Sequence, residues 1–225
     1  MEPLSTPPGE APPENRPGRI VILNGAPRAG KSSIVTALQE GFDGPWVNLG
    51  VDLMTAALPP RHRPGIGLRP GGAAERPDLA PLVPRLYAAL YEAVAAHARL
   101  GLDVVVDVGH HDPGLLADCA RRLRGLPVLF VGLFCPLDTI MARRRQGQAG
   151  REGLYLTGSA DDPVPAPVRA WQQAVHRPGI YDLALDTAAA SRSKAVGPAG
   201  AASSRVRMRR AQSAGLVVAV SSARS

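Results

Sequence analysis

A glycine-rich octapeptide, GAPRAGKS at residues 25–32, constrains this chain more than any other feature. It matches the pattern G-x-x-x-x-G-K-[ST] and stands between an apolar run, RIVILN, and a helical pattern, SSIVTALQEGF. In such a loop the glycines let backbone N–H groups point at an anion, and the following helix presents its N-terminus to it. The order strand, loop, helix therefore predicts a phosphate-binding loop in an α/β protein.

Lysine usage supports this interpretation. The chain has only two lysines, Lys31 in the octapeptide and Lys194 near the C-terminus, and it uses arginine for all other positive side chains. We expect Lys31 to reach the β- and γ-phosphates of ATP and the Ser32 hydroxyl to bind Mg²⁺. The predicted nucleotide-binding residues are consecutive: Gly25, Ala26, Pro27, Arg28, Ala29, Gly30, Lys31, Ser32 and Ser33.

Short apolar runs alternate with helical patterns between residues 19 and 187. Alternation of this kind predicts a parallel sheet with helices on both faces. The predicted strands are RIVILN, WVNLGVD, DVVVDVG, PVLFVGLFC and YDLALDT, and the longest predicted helix runs from Leu82 to Leu100. We predict a disordered, Pro-rich lead over residues 1–18, one folded domain over 19–187, and a disordered, low-complexity tail over 188–225.

The net charge of +7 comes entirely from the predicted tail. Seven of the 26 basic residues and no acidic residue lie after residue 187, which leaves 19 basic residues to balance 19 acidic ones. Nucleic acid is therefore not an expected partner of the folded part. No apolar run is long enough to cross a membrane, and Cys119 and Cys135 lack metal-ligand spacing. These features favour a cytoplasmic protein with buried, reduced thiols.

Two aspartates follow predicted strands, where a parallel sheet binds its ligands. Asp107 closes VVVD and is the predicted carboxylate partner of Mg²⁺, with a helix or turn cap as the alternative. Asp52 follows the second strand and is the candidate base that orients an acceptor hydroxyl, with a helix N-cap as the alternative. His110 and His111 favour a polar acceptor-site loop over a metal site, because no third ligand is suitably spaced.

Other nucleotide-binding classes fit less well. The N-K-x-D motif of GTPases is absent, and so is the G-x-G-x-x-G pattern of dinucleotide-binding domains. Small kinases remain, and these need positive charge on the transferring phosphate. The segment ARRRQGQAGRE, residues 142–152, is rich in arginine and glycine and is predicted to form a lid.

The segments RIVILNGAPRAGKSSIVTALQ, PWVNLGVDLMTAALP, GLDVVVDV, VLFVGLFCPLD and HRPGIYDLALDT resemble the chloramphenicol phosphotransferase-like P-loop kinases. The resemblance covers residues 19–187. It implies a five-stranded parallel sheet in the order 2-3-1-4-5 and transfer of the γ-phosphate of ATP to a hydroxyl of the antibiotic. It also implies that Asp52 deprotonates the acceptor and that the lid arginines fall at Arg143 and Arg151.

Three features depart from the family pattern: Val108 where a second acid often stands, a longer lid segment, and an Ala/Gly/Ser/Arg run in place of a last helix. Two alternatives also remain at this point. The chain could be a kinase for another small-molecule acceptor, such as a nucleotide sugar, as in zeta-type toxins, or a metabolite. It could also be a nucleotide-binding module without catalysis.

Overall fold

The structure is a computed structural model that describes residues 16–68, 76–147 and 154–188, together with the backbone of 206–211 and 215–220. Five parallel strands form one sheet in the order β2-β3-β1-β4-β5, which confirms the predicted order. The strands are β1 (Ile20–Gly25), β2 (Val47–Asn48), β3 (Val104–Val108), β4 (Val128–Phe134) and β5 (Leu183–Asp186).

Helices connect the strands and cover both faces of the sheet. They are α1 (Lys31–Gly41), α2 (Val51–Ala56), α3 (Leu82–Arg99), α4 (Pro113–Arg122), α5 (Leu137–Arg145) and α6 (Ala166–Ala174). The long predicted helix is confirmed as α3, and Pro84 lies in its first turn, where a missing N–H costs nothing. Three short 3₁₀ turns, at 60–62, 66–68 and 77–79, interrupt the long loop between α2 and α3.

The core has two parts because β1 is buried at all six of its positions. Ile20 and Ile22 point to the side covered by α3 and α4, and Val21 and Leu23 point to the side covered by α1. Continuous burial of this kind is expected for a central parallel strand between two helical layers. The carboxyl ends of β1, β3 and β4 consequently meet at one edge of a rigid sheet, where ligands bind in this architecture.

The second strand is shorter than the pattern WVNLGVD predicts. Only Val47 and Asn48 form β2, and Leu49 adds one further hydrogen bond to β3 before the chain turns into α2 at Gly50. A Cβ at position 50 would lie 1.7 Å from Oδ1 of Asp107. The turn therefore depends on a residue without a side chain.

Within the predicted tail, the described backbone of β6 (Val206–Ala211) and β7 (Gly215–Val220) forms an antiparallel hairpin. The division of the chain at residues 18 and 187 stays a prediction. Among the described residues, no helix is both long and apolar enough to span a bilayer.

Candidate active site

The octapeptide at residues 25–32, called the phosphate-binding loop from here on, connects β1 directly to α1. Arg28 has a φ of 71° and Gly30 a φ of 97°, both in the left-handed region. Left-handed residues at these two positions give the tight, N–H-lined turn of an anion-binding nest, and Lys31 then begins α1. The loop therefore combines a backbone conformation typical of anion-binding nests with the N-terminus of a helix.

Lys31 is the positive centre of the site. Its Nζ donates hydrogen bonds to the carbonyl oxygens of Gly25, at 2.8 Å, and Ala26, at 3.0 Å. Burial lowers the pKa of Lys31, and the carboxylates of Asp107 and Asp52 act against that effect. Both carboxylates therefore favour the charged form of this ammonium group, which burial alone would disfavour.

The two predicted aspartates occupy neighbouring positions at the same edge of the sheet. Asp107 is the fourth residue of β3, and its Oδ1 packs against the backbone of Gly50. Asp52 lies in the first turn of α2, for which Gly50 is the N-cap. Asp112 caps α4 by accepting a hydrogen bond from the N–H of Gly114 at 2.6 Å. Neither predicted site aspartate therefore serves as the cap of the helix that follows it.

Side chains from α5 and from the end of β5 brace the phosphate-binding loop. The Thr187 hydroxyl donates to the carbonyl oxygen of Ala29 at 2.7 Å. Nη1 of Arg143 donates to the carbonyl oxygen of Arg28, and its Nη2 to that of Thr187, each at 3.1 Å. Arg143 is thus a direct neighbour of the loop, and its Nη1 lies 3.6 Å from the position that a Cβ at Gly30 would take.

Comparison with known proteins agrees with this geometry. The model of the chloramphenicol phosphotransferase-like proteins matches residues 18–197, which is most of the chain. The chain belongs to this family. Membership makes it a P-loop kinase that acts on a small molecule, and it implies ATP as the phosphoryl donor.

Two curated relatives in Mycobacterium tuberculosis, from strains CDC 1551 and H37Rv, each carry the name "Putative O-phosphotransferase". Each is 29% identical over 184 residues, which cover 76% of this chain and 76% of the relative. The similarity therefore extends over about three quarters of each chain.

Solved structures with the same fold include an APS kinase from Mycobacterium tuberculosis in complex with AMPPNP and APS. It is 18% identical, with a TM-score of 0.51 over 76% of this chain and 90% of that chain. A tunicamycin resistance protein from Deinococcus radiodurans is 20% identical, with a TM-score of 0.50 over 76% and 87% of the two chains. At these identities, the likeness shows a fold shared with other P-loop proteins and gives no information about the substrate.

The start of the predicted lid is attached to the phosphate-binding loop. Nε of Arg28 donates to the carbonyl oxygen of Arg143 at 3.1 Å, and its Nη2 donates to that of Gly147 at 2.8 Å. The guanidinium groups of Arg28 and Arg144 each lie 5.5 Å from the ring centre of Tyr155. Arg151, the second predicted lid arginine, lies outside the described residues.

The adjacent histidines have different environments. His110 is 1% exposed, and its Nε2 is hydrogen-bonded to the hydroxyl of Tyr91. His111 is half-buried and stacks on Trp171, with 4.6 Å between ring centroids. Only His111 therefore remains as a candidate for an acceptor-facing residue. Within 16–68, 76–147 and 154–188, no three His, Cys, Asp or Glu side chains are grouped as metal ligands.

The burial of His110 predicts that the free energy of unfolding falls as the pH is lowered. Desolvation, aided by the neighbouring His111, lowers the pKa of His110 to about 3. Between pH 6.5 and 3 the unfolded chain binds a proton that the folded chain does not, so the free energy of unfolding falls as pH falls, by about 1 kcal/mol per unit. When the free energy of unfolding is measured by urea titration between pH 7 and 5, it should change less steeply with pH in His110→Gln than in the parent chain. His62→Gln, at an exposed position, is the matched control, and equal slopes in all three chains would contradict the assignment.

Three residues of the site were missed by sequence reasoning: Asn24, Thr187 and Trp171. Asn24 is the one polar side chain in the apolar run of β1 and Thr187 directly follows β5, so a polar residue at a strand end was the available signal for both. Trp171 lies on α6, and no sequence signal marked it. The cysteines agree with expectation, since Cys119 and Cys135 are both free and buried.

Proposed function

We propose that this chain is an ATP-dependent O-phosphotransferase that moves the γ-phosphate to a hydroxyl group of a small molecule, with a chloramphenicol-type antibiotic as the first candidate. The observation that carries the proposal is the phosphate-binding loop between β1 and α1, with Lys31 as the first residue of α1. Asp107 of β3 lies against Gly50, the N-cap of the helix that bears Asp52. A phosphate donor and a hydroxyl acceptor need opposite charges at one place, and this edge of the sheet supplies both.

Each side chain has a distinct role in this proposal. The N–H groups of the phosphate-binding loop hold the β-phosphate, and Lys31 binds the oxygens of the transferring group, exchanging its loop carbonyls for them. Asp52 accepts the proton of the acceptor hydroxyl as the oxygen–phosphorus bond forms. Arg143, already on the loop, and Arg151 from the lid stabilise the negative charge that spreads over the phosphoryl oxygens.

Ser32 and Asp107 are the residues that would hold Mg²⁺. Ser32 lies exposed in the first turn of α1, beside the nest, and Asp107 points its Oδ1 into the space that Gly50 leaves open. Mg²⁺ commonly takes one or two protein oxygens and completes its shell with phosphates and waters, a set that these residues fit. When bound, the ion offsets charge on the β- and γ-phosphates.

Asp107 and Gly50 give a paired prediction about Mg²⁺. Asp107→Asn should raise the Mg²⁺ concentration needed for half-maximal turnover by about 10-fold, as the loss of an orienting ligand usually does. Gly50→Ala should act in the same direction, because its Cβ forces the Asp107 carboxylate to move. Gly41→Ala, at the end of α1, is the control, since a Cβ there would contact nothing within 4 Å and the backbone of Gly41 is not left-handed. A Gly50→Ala chain with the parent's Mg²⁺ dependence would show that Asp107 does not serve the metal.

The acceptor is tested by a screen of ATP consumption. Purified protein is assayed with chloramphenicol, nucleotide sugars and a panel of hydroxylated metabolites, and product is confirmed by its added phosphate mass. Turnover with chloramphenicol supports the first candidate, and turnover with another alcohol only assigns a different acceptor. ATP binding without turnover on any alcohol would favour a non-catalytic module. Growth arrest on expression would point to the toxin-like alternative.

A further inference from the structure

Asn24 is a buried polar residue that directly precedes the phosphate-binding loop and is only 1% exposed. Its Nδ2 donates to the carbonyl oxygen of Val175 and to the hydroxyl of Tyr181, each at 2.8 Å. Its Oδ1 accepts a hydrogen bond from the N–H of His110 at 2.8 Å. An amide at this position uses two donors and one acceptor, and no polar atom of the side chain is left without a partner.

These bonds join three parts of the chain that are far apart in sequence. His110 belongs to the β3–α4 loop (residues 109–112), and Val175 directly follows α6. Tyr181 precedes β5, and its hydroxyl is also hydrogen-bonded to Nδ1 of His176 at 2.8 Å. The amide of Asn24 therefore connects the base of the phosphate-binding loop with the β3–α4 loop and with the helix that follows the predicted lid.

The chemistry of the partners fixes the orientation of the amide. The Val175 carbonyl can only accept and the His110 N–H can only donate, so neither an aspartate nor a leucine could satisfy both. A buried carbonyl or N–H that loses its partner is not compensated by water, which makes each of the three bonds a strong positional constraint.

Trp171 on α6 shows what this constraint positions. Its indole packs with Ala26 and Ala29 of the phosphate-binding loop in one buried cluster. Its Cζ2 would lie 3.0 Å from a Cβ at Gly109, and its ring stacks on His111. Trp171 thus touches the nucleotide side through the loop and the acceptor side through His111.

We propose that Asn24 is a positioning residue for phosphotransfer: it holds α6 and the β3–α4 loop against the phosphate-binding loop, so that nucleotide binding is transmitted to Trp171 and to the acceptor side. The proposal rests on the proposed function. Asn24 contributes no group to the phosphates themselves. Its loss therefore reduces turnover while the affinity for ATP stays close to that of the parent chain.

The test uses Trp171 as a reporter. The chain has two tryptophans, and Trp46→Phe leaves Trp171 as the single indole while keeping an aromatic ring at the buried position beside Phe42. ATP with Mg²⁺ is titrated into this parent, into Asn24→Leu and into Asn48→Leu, the matched control at an exposed position of β2. Calorimetry gives the ATP dissociation constant, and Trp171 emission gives the response of α6.

In Asn24→Leu, we expect the ATP dissociation constant to stay within about 3-fold of the parent, the Trp171 response to shrink severalfold, and turnover to fall about 10-fold, the scale seen when a supporting hydrogen bond is lost. Asn48→Leu should match the parent in all three measurements. The proposal is overturned if Trp171 of the parent does not respond to ATP, if Asn24→Leu keeps the full response, or if ATP affinity falls in step with turnover.

Tyr181→Phe covers the case in which Asn24→Leu does not fold. It deletes one hydroxyl and keeps the ring that packs on Phe130 and Phe134. We expect ATP affinity to stay close to that of the parent and the Trp171 response to shrink, though by less than on loss of the whole amide, because Asn24 keeps its bond to the carbonyl oxygen of Val175. An unchanged response, or a loss of ATP affinity in step with turnover, counts against the proposal. The ATP-dependent emission of Trp171 needs no acceptor, so it reports on Asn24 even if every alcohol in the screen fails.

Discussion

Lys31→Ala should abolish phosphotransfer and weaken ATP binding at the same time. Its ammonium group is the only lysine charge among the described residues, and it is held at the loop by two backbone carbonyls. Without it, we expect turnover to fall by about 10³-fold, as for loss of a preorganised charge at a reacting centre. We expect the ATP dissociation constant to rise about 10- to 100-fold, because a charge-assisted hydrogen bond to phosphate is lost.

Lys194→Ala is the natural control, because it removes the only other lysine of the chain. It should retain parental turnover and ATP affinity, measured by coupled ATPase assay and calorimetry. Lys31→Arg is a second informative variant: it keeps the charge but replaces a compact ammonium group with a planar fork, so we expect lower turnover than in the parent chain. Full ATP affinity in Lys31→Ala would remove the assignment of the nucleotide to this loop.

Asp52→Ala, in contrast to Lys31→Ala, should reduce turnover without weakening ATP binding. We expect turnover to fall about 10³-fold, the range of general-base catalysis, while the ATP dissociation constant changes little. The reason is positional: Asp52 lies in the first turn of α2, outside the phosphate-binding loop, and a carboxylate does not donate to phosphate oxygens. Removing a negative charge near the phosphates can even tighten ATP binding slightly.

Asp52→Asn distinguishes charge from shape, since it keeps the size of the side chain and removes its basicity. It should be as inactive as Asp52→Ala if the carboxylate takes the proton, and partly active if it only orients the hydroxyl. Asp43→Asn, in the exposed loop after α1, is the control for a general effect of charge. Turnover of Asp52→Ala at the parental rate would show that another group accepts the proton.

Sequence reasoning predicts the parts of this site that depend on local pattern. The phosphate-binding loop, α3 and the strands around Asp107 follow from periodicity and from glycine spacing, because these report on neighbours along the chain. The sheet order follows from the family resemblance. Asp52 was predicted where the chain leaves the second strand, and it lies in the first turn of α2 because β2 ends at Asn48 and Gly50 already caps the helix.

Side-chain direction is what the sequence could not supply. Nothing in the letters HH distinguishes His110, which is buried, from His111, which stacks on Trp171. Likewise, the hydroxyl of Thr187 meets the carbonyl of Ala29 across 158 residues of chain. Such contacts depend on how strands are ordered in space, and a one-dimensional pattern contains that order only indirectly.

The contacts of Arg28 determine whether the phosphate-binding loop can be transferred to another kinase by itself. Arg28 occupies a variable position of the G-x-x-x-x-G-K-[ST] pattern, yet its guanidinium binds carbonyl oxygens at the end of α5. A fork with several donors can hold two carbonyls at once, whereas a lysine would offer a single point charge. In a chimaeric kinase, this loop would carry its own attachment for α5, so the two segments would have to be transplanted together.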